Sequence, residues 1–168
     1  VDYFGYTSNS VKTIARNMKV AGKHWWCDPK NRYTVQELTE DYEAGALALS
    51  CEAIGNCMKG SGYDLDQVGT FIYVSCTKLL DLTPGMAFKI AGKLGMRSDI
   101  RMDEPSGLGC QGALPGLETA YAHLMTWKEP VLVVACEICS ATCFYQAPSR
   151  TWGIRSATYF SVMGPRLP

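Results

Sequence analysis

The chain has 168 residues, a length for which one domain with a substantial core is the expectation. Hydrophobic residues make up 47% and charged residues 19%, and the formal net charge is zero, a balance that argues against a disordered chain and against a nucleic-acid partner. No apolar run approaches the roughly 18 residues of a membrane span, and "VDYFGYTSNSVK" lacks the charged-then-apolar form of a signal peptide. A cytoplasmic protein without a membrane partner is expected.

In chain order, residues 8–20 place Val11, Ile14, Ala15 and Met18 at helical spacing behind Ser8 and Ser10, which predicts an amphipathic helix. Lys12, Arg16 and Lys19 on it form a small positive cluster, suited to a small anion or simply a solvated face. "KHWWCDPKNRYTV" reads as loop or short strand. From Val35 to Lys59 the chain is rich in Ala, Leu and Glu and predicts a long helix, stopped by Gly60-Ser-Gly62. "GTFIYVSCT" is a continuous apolar run of strand length, the pattern of a strand covered on both faces in a parallel sheet.

Pro84 then opens a helix at its first position and Gly95 closes it. "SDIRMDEP" is a short strand candidate, a glycine-rich turn leads into a helix over 114–127, and "PVLVVACEI" is a second buried strand. Helices alternating with strands predict an α/β layered fold with a mostly parallel, mixed sheet and a single domain over 1–168. Past Phe144 no period is visible, and 146–168 is expected to be an irregular tail.

The eight cysteines lie largely inside apolar patterns, such as "VLVVACEICSATCF", and read as reduced thiols rather than a disulfide framework. Cys136, Cys139 and Cys143 include one C-x2-C pair but no second pair at zinc-site spacing, so no metal is expected.

One cysteine stands apart. In "GLGCQGALPG", Cys110 lies among Gly107, Gly109 and Gly112 just ahead of a predicted helix. A nucleophilic thiol needs an approach for substrate and a stabilised thiolate. Glycine neighbours supply the first, and the N–H groups and dipole of a helix N-terminus supply the second. A buried structural cysteine in a tight turn fits the same residues equally well. Leu114, Leu117, Tyr121 and Leu124 are expected to hold the helix against a sheet, and Pro115 fits only in its first turn.

"GLGCQGALPGLETAYAHL", followed by "EPVLVVACEICSATCF", resembles the active-site segment of type III polyketide synthases, the chalcone synthase-like enzymes. "VGTFIYVSCT" with "LTPGMAFKIAGKLGMRSDI" is similar to the segment before it, and the resemblance runs from about residue 10 to about 145. It implies the N-terminal half of a thiolase-like (α-β-α) fold and a transferase of polyketide biosynthesis. Cys110 would be the nucleophile that takes an acyl group from a coenzyme A thioester, followed by decarboxylation of a malonyl extender and Claisen condensation. Glu137, Cys139 and Thr142 match the family's pocket wall, and Lys12, Arg16 and Lys19 lie near its contacts to coenzyme A phosphates. Acyl-CoA and malonyl-CoA are the implied substrates, with no permanently bound cofactor.

The resemblance also sets out departures. The family's catalytic His and Asn come from the second half of its duplicated fold, and neither His24 nor His123 matches. His123 reads as a satisfied core or surface histidine. Lys78 and Leu80 stand where the family has small residues, which implies a narrowed substrate channel. An acyltransferase completed by a C-terminal half, or as a homodimer, is therefore one expectation. A catalytically silent half-domain acting in association, or a ketoacyl synthase III-like condensing enzyme, is the alternative.

Overall fold

The computed structural model describes residues 9–18, 24–28, 34–77 and 84–142. Helix α1 spans Asn9–Asn17, α2 Val35–Ser61, α3 Met86–Leu94 and α4 Ala113–Trp127; strands β1, β2 and β3 span Thr70–Val74, Arg101–Asp103 and Val131–Ala135. The strands form one parallel sheet in the order β2-β1-β3, with Thr70 opposite both Arg101 and Val131. The expected alternation and parallel pairing are therefore present. Cys143 onward, including the expected tail at 146–168, and Lys78 and Leu80 lie outside the described residues.

β1 is buried along its whole length, as its unbroken apolar run predicts. Its alternating side chains separate two layers. Phe71 and Tyr73 join a core with Tyr42, Ala46 and Ile54 of α2, Ala87 and Ile90 of α3, and Leu132 and Val134 of β3. On the other face Thr70 reaches His123 of α4, and Val74 lies against Gly112 and Gly116. Helices thus cover both faces of the sheet. This is the expected layered α-β-α arrangement.

Local chemistry sets the helix ends. Thr34 caps α2 through a reciprocal box: its hydroxyl accepts from the Glu37 N–H at 3.1 Å, and the Thr34 N–H donates to the Glu37 carboxylate at 3.1 Å. α2 continues through Gly60 to end at Gly62, in the left-handed conformation with φ 75°. Pro84 is not the first residue of α3, because extended Gly85 is the cap and the helix begins at Met86. The carboxylate of Glu104, 17 residues on, accepts from the Ala87 N–H, so a distant side chain supplies the cap.

Two expectations are corrected by packing. Leu114, Leu117, Tyr121 and Leu124 of α4 do not face the sheet; they are 67%, 57%, 65% and 45% exposed. The sheet-facing stripe contains Gly112 and Gly116, which let the helix approach Val74 so closely that a β-carbon at Gly116 would lie 2.7 Å from Val74 Cγ2. The "PVLVVACEI" strand, expected to be buried, is fully buried on one face only: among the described strands β3 is an edge, with Leu132 and Val134 buried and Val131 and Val133 half-buried. The expected amphipathic helix is present as α1, with Ile14 and Met18 of its apolar stripe exposed.

The close approach of α4 gives a contrast in stability. Gly116→Val should destabilise the chain by about 1–3 kcal/mol through overpacking against Val74. Gly92→Ala, where an added β-carbon meets nothing within 4 Å, should be neutral or stabilise by up to about 1 kcal/mol. Urea unfolding monitored by circular dichroism measures both; equal effects would contradict the packing described.

Candidate functional site

The C-terminal ends of β1 and β3 and the turn before α4 come together at one place. In a parallel sheet this is the end where side chains from successive loops converge. Val74, the last residue of β1, is the residue that Gly112 approaches, with a built β-carbon 2.9 Å from Val74 Cγ1. Cys110 lies two residues before Gly112, on the 3-10 turn Gly109–Gln111 that runs directly into α4. Gly109 has φ 57°, which a residue with a β-carbon rarely adopts, so the turn that presents Cys110 depends on glycine there. Cys110 is exposed, and Pro115 falls within the first turn of α4 as expected.

Loop residues past β1 and β3 are tied to each other. The Cys76 N–H donates to Glu137 Oε1 at 2.8 Å, and the Ile138 N–H donates to Thr77 Oγ1 at 2.9 Å. Behind them runs a buried hydroxyl chain: Tyr73 and Tyr42 share a hydrogen bond of 2.9 Å, Tyr42 donates to Ser75 Oγ at 3.2 Å, and Ser75 and Thr77 hydroxyls lie 3.3 Å apart. Burial first, and then the bond to Tyr42, hold the Tyr73 phenol protonated well above its ordinary range. This chain is a support for the loops and carries no charge at neutral pH.

Of the expected pocket-wall residues, Glu137 and Cys139 are exposed, and half-buried Thr142 donates its hydroxyl to the Cys139 carbonyl at 2.9 Å. Ser140 between them is buried, and its Oγ accepts from the Trp26 and Cys27 N–H groups at 3.2 and 3.4 Å. Ser140 thereby fastens the Trp25–Trp26 segment beside the wall. Lys12 and Arg16 lie on α1, half-buried and exposed, and take no part in the hydrogen bonds that knit the strand ends; Lys19 lies outside the described residues. His123 shares a 3.5 Å contact with Thr70 at the opposite end of β1, which fits the reading of a satisfied, non-catalytic histidine. His24 is exposed on the segment before Trp25.

Two residues at the site were not singled out from the sequence. Cys76 follows an apolar run and reads there as part of a strand, yet it lies beyond the end of β1, exposed and bonded to Glu137. Its position just past the C-terminal end of a buried parallel strand was the available signal. Ser140 had none, because its partners are more than a hundred residues away.

The thiols differ in electrostatics. Cys76 is pushed up to about 11, by partial desolvation of its sulfur first and then by its hydrogen bond to Glu137 and that carboxylate's charge, even though the residue as a whole is exposed. Burial also pushes the Cys136 thiol up.

No protein-family model matches the chain. It is 24% identical over 163 residues to the 3,5-dihydroxyphenylacetyl-CoA synthase of Streptomyces toyocaensis, an alignment covering 93% of this chain and 41% of that enzyme. The crystal structure of CsyB complexed with CoA-SH superposes with a TM-score of 0.73 at 19% identity, covering 83% of this chain and 41% of that one. The chain is similar to the N-terminal portion of type III polyketide synthases. The C-terminal type III polyketide synthase domain of a type I/III hybrid from Dictyostelium superposes with a TM-score of 0.70 at 21% identity, again over 83% of this chain and 41% of that one. The chain thus spans about two fifths of the length of these relatives.

Thiol chemistry should follow the electrostatics. At neutral pH iodoacetamide should alkylate Cys110 before Cys76 or Cys136. Below its raised pKa of about 11, Cys76 is a protonated thiol, so its labelling rate should climb roughly tenfold per pH unit from pH 8 to pH 10 without levelling. Mass mapping of quenched samples reads the order. Cys76 labelling as early as Cys110 at pH 7, or a plateau for Cys76 by pH 9, would contradict this picture.

Proposed function

We propose that this chain is the nucleophile-bearing part of a type III polyketide synthase-like acyltransferase, with Cys110 as the acyl acceptor. The observation that carries the reading is the placement of Cys110: exposed on a glycine turn, at the C-terminal end of the buried central strand, in a fold shared with a CoA-bound enzyme. Cys110 Sγ attacks the carbonyl carbon of an acyl-CoA thioester. The tetrahedral adduct collapses with loss of the coenzyme A thiolate, leaving the acyl group on Cys110. Glu137, Cys139 and Thr142 then line the space in which the acyl chain lies. Lys12, Arg16 and Lys19 meet the coenzyme A phosphates, the lysines as point charges and Arg16 through its planar fork of N–H donors. Acyl-CoA and malonyl-CoA are the substrates and no resident cofactor is required. The setting is cytoplasmic.

Extension needs more than the acyl-enzyme. Decarboxylation of a malonyl unit and Claisen attack on the Cys110 thioester require a base and donors to the developing enolate and oxyanion. Of the chain's two histidines, His123 pairs with Thr70 at the far end of β1, and neither matches the family's catalytic histidine. A complementary C-terminal half supplies these groups in this reading. The exposed apolar face of α4 and the edge of β3, unpaired among the described residues, support such an association, because both are surfaces that an isolated domain keeps small or charged. The same two surfaces also support the second reading, a catalytically silent half-domain whose role is association, as a homodimer or with a second polypeptide.

Two measurements separate the readings. Purified chain incubated with isotopically labelled acyl-CoA should gain one acyl group on Cys110, while malonyl-CoA should give no steady turnover. Losing a general base and oxyanion donors removes on the order of 10²–10³ in rate for each. Steady malonyl turnover with no second polypeptide on a gel would contradict the reading, and absence of any acylation would favour the silent half-domain. Light scattering should show dimers, larger assemblies or a co-purifying chain; a well-behaved monomer would contradict association through α4 and β3.

A further inference from the structure

Cys110 does not stand alone at the strand ends. Val74 and Gly112 are in contact; Cys76 lies two residues past the first and Cys110 two residues before the second. The Cys76 backbone is bonded to Glu137, and Cys139 follows Glu137 by two residues. Three exposed thiols and one carboxylate therefore share one corner of the sheet, with Cys110 and Cys139 both close enough to Cys76 to influence it electrostatically. Among the described residues no cluster of His, Cys, Asp and Glu has the arrangement of a metal site. The corner belongs to thiol chemistry.

We propose that Cys76 and Cys110 are a peroxide-sensitive pair, Cys110 being the oxidised thiol and Cys76 the resolving thiol that closes a disulfide with it. The inference needs only a reactive Cys110 and stands whether or not the chain transfers acyl groups. Cys110 thiolate attacks one oxygen of hydrogen peroxide. An S–O bond forms, the O–O bond breaks, and hydroxide leaves to become water. Cys76 sulfur then attacks Cys110 Sγ, forming the S–S bond as the S–O bond breaks. The departing hydroxide takes up the Cys76 proton, passed through the Glu137 carboxylate, and leaves as a second water. Two thiols lose two electrons in all, and one peroxide becomes two waters.

The roles follow from the surroundings. Cys76 is protonated at neutral pH, because partial desolvation and Glu137 disfavour its thiolate, so it is a poor first target for peroxide. Glu137, whose carboxylate accepts from the Cys76 backbone N–H and also hydrogen-bonds the thiol, is the group placed to take the thiol proton once a sulfenic acid has formed beside it. The consequence is protection: a disulfide is recovered by thiol reductants, whereas an unresolved sulfenic acid advances to irreversible acids.

Tryptic mapping tests the pair without ambiguity, because the peptides 60–78 and 102–128 each carry one cysteine, Cys76 and Cys110. The full chain, treated with hydrogen peroxide at neutral pH and then alkylated, should yield these two peptides linked. Dithiothreitol should release both and restore alkylation of Cys110. In Cys76→Ser the linked peptide should be lost, and Cys110 should accumulate as sulfinic and sulfonic acid that dithiothreitol does not restore. Glu137→Gln should slow linkage in the folded chain. Linkage of Cys110 to the peptide bearing Cys139, or irreversible oxidation of Cys110 to the same extent in wild type and Cys76→Ser, would overturn the proposal.

Discussion

The contact of Gly112 and Gly116 with Val74 is the constraint on which the rest of the site depends. A helix can lie this close to a strand only where its inward residues lack side chains, and a β-carbon at either position would stand within 3 Å of a Val74 methyl. The approach fixes where α4 begins relative to the end of β1. It thereby fixes the position of the 3-10 turn that carries Cys110. A larger residue at Gly116 would lift the helix and move the turn away from Cys76, Glu137 and Cys139, all of which are held by loops from β1 and β3.

Those loops have their own anchors, independent of α4. The hydroxyl chain from Tyr42 through Ser75 to Thr77 joins α2 to the segment after β1, and the Thr77 hydroxyl in turn accepts from Ile138 after β3. Ser140 extends the same framework to Trp26 and Cys27. The site is therefore assembled from two supports: a buried polar network under the loops, and a side-chain-free seat under the helix. Buried networks of this kind are rigid when every member has a partner. The Trp26 ring adds a further close contact, lying against Gly45 of α2, where a β-carbon would be 2.9 Å from the ring.

The strands, the long helix and the parallel alternation were legible in the sequence because each rests on local signals. β1 is a continuous apolar run, and α2 is a stretch rich in Ala, Leu and Glu with glycines at its end. Cys110 was legible for a similar reason: glycines before a helix are a local pattern. What could not be read was direction. Leu114, Leu117, Tyr121 and Leu124 form an apolar stripe, and periodicity cannot say whether a stripe or a pair of glycines meets the sheet. The cap of α3 by Glu104, the tie of Ser140 to Trp26 and the placement of Cys76 beside Glu137 all join residues far apart in the chain. They appear only once the strands are aligned. The position of β3 at the edge of the described strands was hidden for the same reason, since an apolar run looks alike whether one or both of its neighbours are present.

If the seat under α4 positions Cys110 as an acyl acceptor, disturbing the seat should disturb acyl transfer without touching any group at the site. The most direct measurement is the rate of transfer from a labelled acyl-CoA to the Cys110 peptide, 102–128, in wild type and in Gly116→Val, with circular dichroism showing both folded. The account predicts label on that peptide in the wild type and a clearly slower rate in the variant. Label on another cysteine, or equal rates in the two folded proteins, would contradict it.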